Sequence, residues 1–455
     1  MSCVHRLLSD IDVLSHHSSV SSALQLKLLQ DDQWHADLQV KDPFAVYKLK
    51  ELFVLLLTLD PVSEIKRDWI TRALARVASL ADLDINAVYL DVFHTLLKQL
   101  RHNQAPFVED HPGRLLLQAM NAHPQLDDWI HRSLQTQNTL YIIPFLVCMI
   151  DVVKTLDSLS GQSVCCDAVI SSLTSHYGQI GKYWQASHIT AVRKSMELSK
   201  RLLQACPTPI MVSELVTMLH TYINSVRQHL TESTMELFRE SDRTEFFYQD
   251  LNVNIVVDRE CLKSVLQMVI ASCQTIVMRY DDNPKLWQEF HHILQNAQDV
   301  NDPMVLLEWI FDLCGNNDDD AVDLQMQILA IYERFTAHDE PRFMQQMLQQ
   351  LEITPHTLFI YFLYRTGTDH EILVDFLISN ETEFLAFLIA YLRYVDHHLP
   401  EFMESCEMLG DDGVDLIYHV FERLLHVLEA GGFPYNPAAL ARRITHLLDR
   451  ISHTL

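Results

Sequence analysis

Ten glycines in 455 residues restrict this chain more than any other feature. That is about 2% of the residues, against roughly 7% in ordinary proteins. Sheet-rich folds spend glycine on tight turns, and nucleotide-binding α/β folds spend it where a loop must approach a phosphate closely. The shortage points to helices joined by short connections and argues against a nucleotide-binding α/β fold.

The places where helices begin support this. A capping side chain followed by proline recurs at Asp42-Pro43, Asp60-Pro61, Asp302-Pro303, Thr354-Pro355 and Asn436-Pro437. The cap accepts an orphan backbone N–H, and proline supplies a preset φ where no amide donor is needed. Apolar residues then follow at helical spacing: Val46, Tyr47, Leu49, Leu52, Phe53 and Leu56 after Pro43, and Val305, Leu306, Trp309, Ile310 and Leu313 after Pro303. The same signals elsewhere predict about twenty helices. Only Asn252 to Val257, NVNIVV, alternates like a strand, and one such segment cannot make a sheet. No strict 33- to 45-residue signature repeats. A single core stops growing near roughly 250 to 300 residues, so a chain of this length divides or extends. The expected fold is all-α, an irregular armadillo- or HEAT-like α-solenoid, divided into a helical-repeat region over 1–350 and a second helical region over 351–455.

Charge narrows the function. Sixty acidic residues against 34 basic ones give a formal charge of −26, and the nearest thing to a basic run is the pair Arg442-Arg443. Direct nucleic-acid binding through phosphates is disfavoured, and a basic protein is the natural electrostatic complement. Twenty-four histidines add a handling consequence. They titrate near pH ~6.5, so mild acid removes most of the negative charge and should lower solubility. Nine cysteines, odd in number and never in CxxC spacing, fit free thiols in a reducing compartment. The longest apolar run, Leu140 to Ile150, is short for a membrane span and contains Pro144, so no membrane association is expected.

Motifs for chemistry fail one by one. His370-Glu371 opens an HExxH pattern, but Val374 stands where the second histidine belongs. The doublets His16-His17, His291-His292 and His397-His398 point neighbouring side chains about 100° apart on a helix, and Pro400 interrupts the His397/Glu401 spacing. The run Gly315 to Asp320 resembles a calcium loop, yet a loop starting at Asp318 has Val322 and Asp323 where a ligand and a glycine are required. Gly178 to Lys182 lacks the P-loop spacing and is followed by Tyr183. No catalytic, cofactor or metal site is expected.

The remaining oddity is the stretch His370 to Phe402, apolar or aromatic at most positions of its second half. Glu371 to Ile378 reads as a helix with Glu371 and Asp375 as its only polar stripe, and Asn380 with Glu383 reads as a capping-box start for a second helix. On that second helix Phe384, Leu385, Phe387, Leu388, Ile389, Tyr391, Leu392, Tyr394 and Val395 cover nearly two-thirds of the circumference. Glu383, Ala386, Ala390 and Arg393 fill the rest. A helix this apolar is expected inside a core, with a groove for a partner's helix as the alternative.

At these residues LVDFLISNETEFLAFLIAYLRYV resembles the C-terminal motif of the Lines family. The matching positions are Leu373, Asp375, Phe376, Leu377, Ile378, Ser379, Glu381, Thr382, Phe384, Leu385, Tyr391, Leu392, Arg393 and Tyr394. Ala386-Phe387 departs from the family, which often carries an aromatic directly after the Phe-Leu pair. The resemblance covers about 25 residues, and what precedes it is compatible with the family's N-terminal region. It implies a non-enzymatic, armadillo-like scaffold of the nucleus and cytoplasm, a segment-polarity type regulator of development acting on Wnt-linked transcription through odd-skipped-type zinc-finger factors. The basic character of such zinc fingers would suit this chain's acidity. Glu371, Asp375 and Arg393 are the candidate partner-binding residues. The competing expectations are an all-helical enzyme or metal-dependent hydrolase with unfamiliar motifs, and an obligate subunit of a larger helical assembly.

Overall fold

A computed structural model of the chain describes residues 43–58, 63–102, 110–159, 167–186, 188–226, 258–279, 303–314, 318–336, 348–349, 352–379 and 382–454. Among the described residues there are nineteen α-helices and no strand, so the fold is all-α. Asn252 to Val257, the doublets His16-His17 and His291-His292, Gly315 to Asn317 and the capping candidates Asp42, Asp60, Asp302 and Asn380 lie outside the described residues. The chain forms two compact units, Met1–Met218 and Leu219–Leu455.

The first unit contains α1 (Pro43–Thr58), α2 (Ser63–Ser79), α3 (Leu83–His102), α4 (Pro112–Asn121), α5 (Leu126–Ser133), α6 (Thr139–Ser158), α7 (Asp167–Ser175), α8 (Tyr177–Gly181) and α9 (Ile189–Ala205). The boundary falls inside α10 (Pro209–Val226). Helices stack on near neighbours in solenoid fashion: α1 on α3, α3 on α6, α6 on α9. Helix α3 shows why. It buries Asn86, Tyr89, Leu90, Phe93, Leu96, Leu97 and Leu100, a stripe at spacings of three and four. Each large apolar side chain so removed from water contributes about 1.5–3 kcal/mol. At the start of α4, only glycine fits: a Cβ on Gly113 would stand 2.7 Å from the Leu96 carbonyl oxygen and 3.1 Å from the Leu100 Cβ.

Helix α6 continues past the apolar run to Ser158 and is long and apolar enough to cross a membrane by length and composition alone. Its surface goes instead to α3 and α9. One polar cluster is locked into that packing. Asp151, 4% exposed, accepts hydrogen bonds from His94 and from Arg101, and Arg101 also donates to the Asp151 carbonyl at 3.0 Å and to Thr155 Oγ1 at 3.2 Å.

The second unit contains α11 (Arg259–Arg279), α12 (Pro303–Cys314), α13 (Asp318–Thr336), α14 (Pro355–Arg365), α15 (His370–Ile378), α16 (Phe384–His397), α17 (Leu399–Cys406), α18 (Gly413–Ala430) and α19 (Ala438–Thr454). Helix α13 packs on α11, α14 and α16; α15 packs on α18, and α19 on both α16 and α18. Cys148, Cys261, Cys273, Cys314 and Cys406 are buried free thiols, and Cys206 is an exposed one.

Candidate functional site

The residues singled out by the sequence sit on a body built around α14. Thr354 opens that helix with the capping box expected of Thr354-Pro355. Its hydroxyl accepts from the Thr357 N–H at 3.1 Å, and the Thr354 N–H donates to Thr357 Oγ1 at 3.0 Å. Every residue from Pro355 to Leu363 is buried, so α14 has no solvent face over two turns. Aromatic rings of the following helices close on it. The Phe359 and Tyr391 centroids lie 4.3 Å apart, and Phe376 and Phe384 stand 5.5 and 5.9 Å from Phe362.

This answers the question raised by the apolar stretch. On α16, Phe384, Phe387, Leu388, Tyr391, Leu392, Tyr394 and Val395 are buried, while Glu383, Ala386 and Arg393 are exposed. Core packing uses most of the wide apolar face, while Leu385, Ile389 and Ala390 are half-buried at its margins. Two local expectations change. Glu383 occupies the N-cap position with no side-chain cap bond, so no capping box is seen at the start of α16. On α15 the stripe meeting water is Glu371, Asp375 and also Ile378, which is 44% exposed. The helix ends there, with Phe376 and Leu377 of the same turn buried on its other side. Pro400 acts as expected: α16 stops at His397, and α17 begins with Pro400 in its first turn.

Inside the body lies one buried titratable group that sequence reasoning did not single out. His356 is 3% exposed, and its Nδ1 shares a hydrogen bond with the Tyr391 hydroxyl at 3.1 Å. Tyr394 and Phe402 complete its surroundings, with ring centroids at 5.2 and 5.8 Å. Burial, with a smaller push from the nearby His398, lowers its pKa to about 3, so the ring is neutral at physiological pH. Its Nε2 meets no polar partner. The only local hint was a histidine placed directly after a helix-opening proline.

The outer surface is acidic. From Glu352 to Ala430 there are fifteen Asp and Glu against three Arg and no Lys. One of those arginines, Arg365, is held by Asp312 on α12 at 2.6 Å. Glu371 and Asp375 share one face of α15, exposed, with no cation paired to either among the described residues. Asp369 caps that helix by accepting from the Glu371 N–H at 2.9 Å. Arg393 is exposed on α16 and forms no ion pair with the two carboxylates. The structure therefore brings Glu371 and Asp375 together and leaves Arg393 on a separate helix. A second polar arrangement went unread: Asp396, at the end of α16, faces Arg443, His446 and Arg450 of α19. Its signal was the i, i+3, i+7 spacing of those three. Among the described residues no group of three His, Cys, Asp or Glu is placed to hold a metal ion.

Residues 262–406 match the family model described as the Lines N-terminus. Over this segment, under a third of its length, the chain is similar to the Lines family. It is 28% identical over 113 residues to mouse Protein Lines homolog 1, covering 23% of this chain and 14% of the relative. The human protein of the same name is 28% identical over 123 residues, 25% of this chain and 16% of the relative. Drosophila Protein lines is 26% identical over 96 residues, 20% of this chain and 11% of the relative. These matches span only a small part of the relatives' length. The Lines match contains residues 373–395, so the stretch resembling the family's C-terminal motif lies within a match to its N-terminal model. No solved structure matches the chain.

Proposed function

We propose that the chain is a non-enzymatic scaffold that binds a basic protein partner, in keeping with a Lines-type regulator of developmental, Wnt-linked transcription. The observation that carries this reading is the surface around the Lines segment: fifteen carboxylates against three arginines between Glu352 and Ala430, with Glu371 and Asp375 exposed and unpaired on one face of α15. Such a field steers cationic partners and rejects nucleic-acid phosphates. The chemistry it complements is that of a zinc-finger array, basic where it meets DNA, and odd-skipped-type zinc-finger transcription factors are the partners proposed. The localisation proposed with this reading is the nucleus and the cytoplasm.

The test is binding of the purified chain to an odd-skipped-type zinc-finger domain at low and moderate salt, with an unrelated zinc-finger array as control. Selective, saturable binding that weakens with salt is expected. Equal binding to both arrays would reduce the interaction to bulk charge and remove the named partner; no binding to either would remove the partner class.

A further inference from the structure

The acidic surface already carries one basic helix, its own. Helix α19 holds Arg442, Arg443 and Arg450 against a single acid, Asp449, and follows directly on a region with fifteen acids and three arginines. It lies on α16 and α18 through a stripe of Leu440, Ile444, Leu447, Leu448 and Ile451, all at most 6% exposed. Beside that stripe, three side chains converge on Asp396 of α16. His446 Nδ1 sits 3.0 Å from Oδ1, Arg443 approaches Oδ2 at 3.8 Å, and Arg450 donates to the Asp396 backbone carbonyl. The clasp is half-buried, with side-chain exposures of 59% for His446, 32% for Arg443 and 24% for Asp396. An apolar stripe flanked by cations is how a basic amphipathic helix seats in an acidic groove.

The connection to α19 begins with two glycines. Gly431 and Gly432, between α18 and α19, are both exposed and both left-handed, with φ of 84° and 99°, and a side chain at either would meet nothing within 4 Å. Two successive glycines with open surroundings place little steric limit on the backbone at this one point of the connection. The cost of release is dominated by re-exposure of the five-residue apolar stripe, and the half-buried clasp adds a smaller part.

We propose that α16 and α18 form a docking surface for a basic amphipathic helix of a partner protein, and that α19 occupies it in the free chain as an intramolecular stand-in. A partner helix carrying an apolar stripe with two or three cations alongside competes with α19 for Asp396 and the surface beneath. This surface is distinct from the α15 face and does not depend on it. Release of α19 raises the apparent affinity, because the partner no longer has to displace a tethered competitor.

The experiment uses the full chain and a fluorescent peptide of residues 436–455, with a scrambled peptide of equal charge as control. Arg443→Glu together with Arg450→Glu turns α19 against Asp396 while leaving α16 and α18 untouched. The wild-type chain is expected to bind the peptide weakly and the double variant at least tenfold more tightly. Adding Asp396→Lys should abolish that gain. No gain in a variant of unchanged helicity overturns the proposal. A variant that loses helicity throughout also overturns it, since α19 would then be an integral part of the core. Hydrogen exchange on the wild-type chain gives an independent reading: α19 should exchange well before α18, and equal protection of the two helices would be decisive against a displaceable helix.

Discussion

At the scale of single residues, two buried titratable groups each contribute to how the protein responds to acid. The ordinary carboxylate at Asp151 would be pushed up by burial, but hydrogen bonds from His94 and Arg101 outweigh this and hold its pKa below the usual value. A carboxylate with a lowered folded pKa contributes stability above its unfolded value, near ~3.9, and loses it as pH falls through the folded one. Asp151→Asn leaves Arg101 without its buried counter-charge. It should cost about 3 kcal/mol at neutral pH, read from urea unfolding. His356 acts over a different window. Its folded pKa, lowered to about 3, lies below the unfolded value of ~6.5, so in that interval the unfolded state binds the extra proton. Stability is therefore full above about pH 6.5 and falls by about 1.4 kcal/mol per pH unit as pH drops towards 3. His356→Gln should lose stability at neutral pH yet flatten that slope between pH 6.5 and 4.5. An unchanged slope in thermal melts would mean that His356 is not the group responsible. Neither group was legible in the sequence, because Asp151 meets partners 50 and 57 residues away and His356 meets Tyr391 across 35. Helical periodicity reports which face is apolar and says nothing about which polar residue on another helix will face it.

At the scale of helices, the sequence was far more informative. Seven of the nine apolar positions of α16 are buried, Leu385 and Ile389 being half-buried, and Thr354-Pro355 opens α14 with both capping hydrogen bonds in place. Such signals are legible because they act within one turn, where backbone geometry alone decides the contact. Thr354→Ala should cost about 1 kcal/mol through the lost cap. What stayed hidden at this scale was the close approach of one helix to the next. Gly413 opens α18, and a Cβ there would stand 2.0 Å from the Cys406 carbonyl oxygen of α17. Backbone cannot retreat from a carbonyl at that distance without shifting the helix. Gly413→Ala should therefore destabilise by about 1–3 kcal/mol despite the better helix propensity of alanine. A neutral or stabilising effect in denaturant melts would show that the α17–α18 junction is looser than the structure has it. Residues such as these glycines look like ordinary junctions in sequence, and only the neighbour across the contact distinguishes them.

At the scale of the whole molecule, composition gave the fold class and the sign of the surface, while the place of binding needed the structure. An excess of acid can be counted along the chain, but which carboxylates remain unpaired depends on helices brought beside them. Asp312 is spent on Arg365 and Asp396 on α19, whereas Glu371 and Asp375 keep their charge for solvent. If a basic partner uses the α15 face, Glu371→Lys with Asp375→Lys should weaken its binding by roughly tenfold at low salt, since each exposed pair is worth about 0.2–1 kcal/mol and reversal adds repulsion. The loss should shrink as ionic strength rises, because a Debye length near ~8 Å in physiological salt screens such pairs. Neither substitution touches the buried residues Leu373, Phe376 and Leu377, so helicity and melting temperature should hold. Association kinetics separate the two ways in which charge can act. A slower on-rate with an unchanged off-rate would mean that the carboxylates only steer the encounter, and a faster off-rate would place them in the contact itself. Wild-type affinity at both salts, with the fold intact, would take the α15 face out of the interface and leave the surface beneath α19 as the place to look.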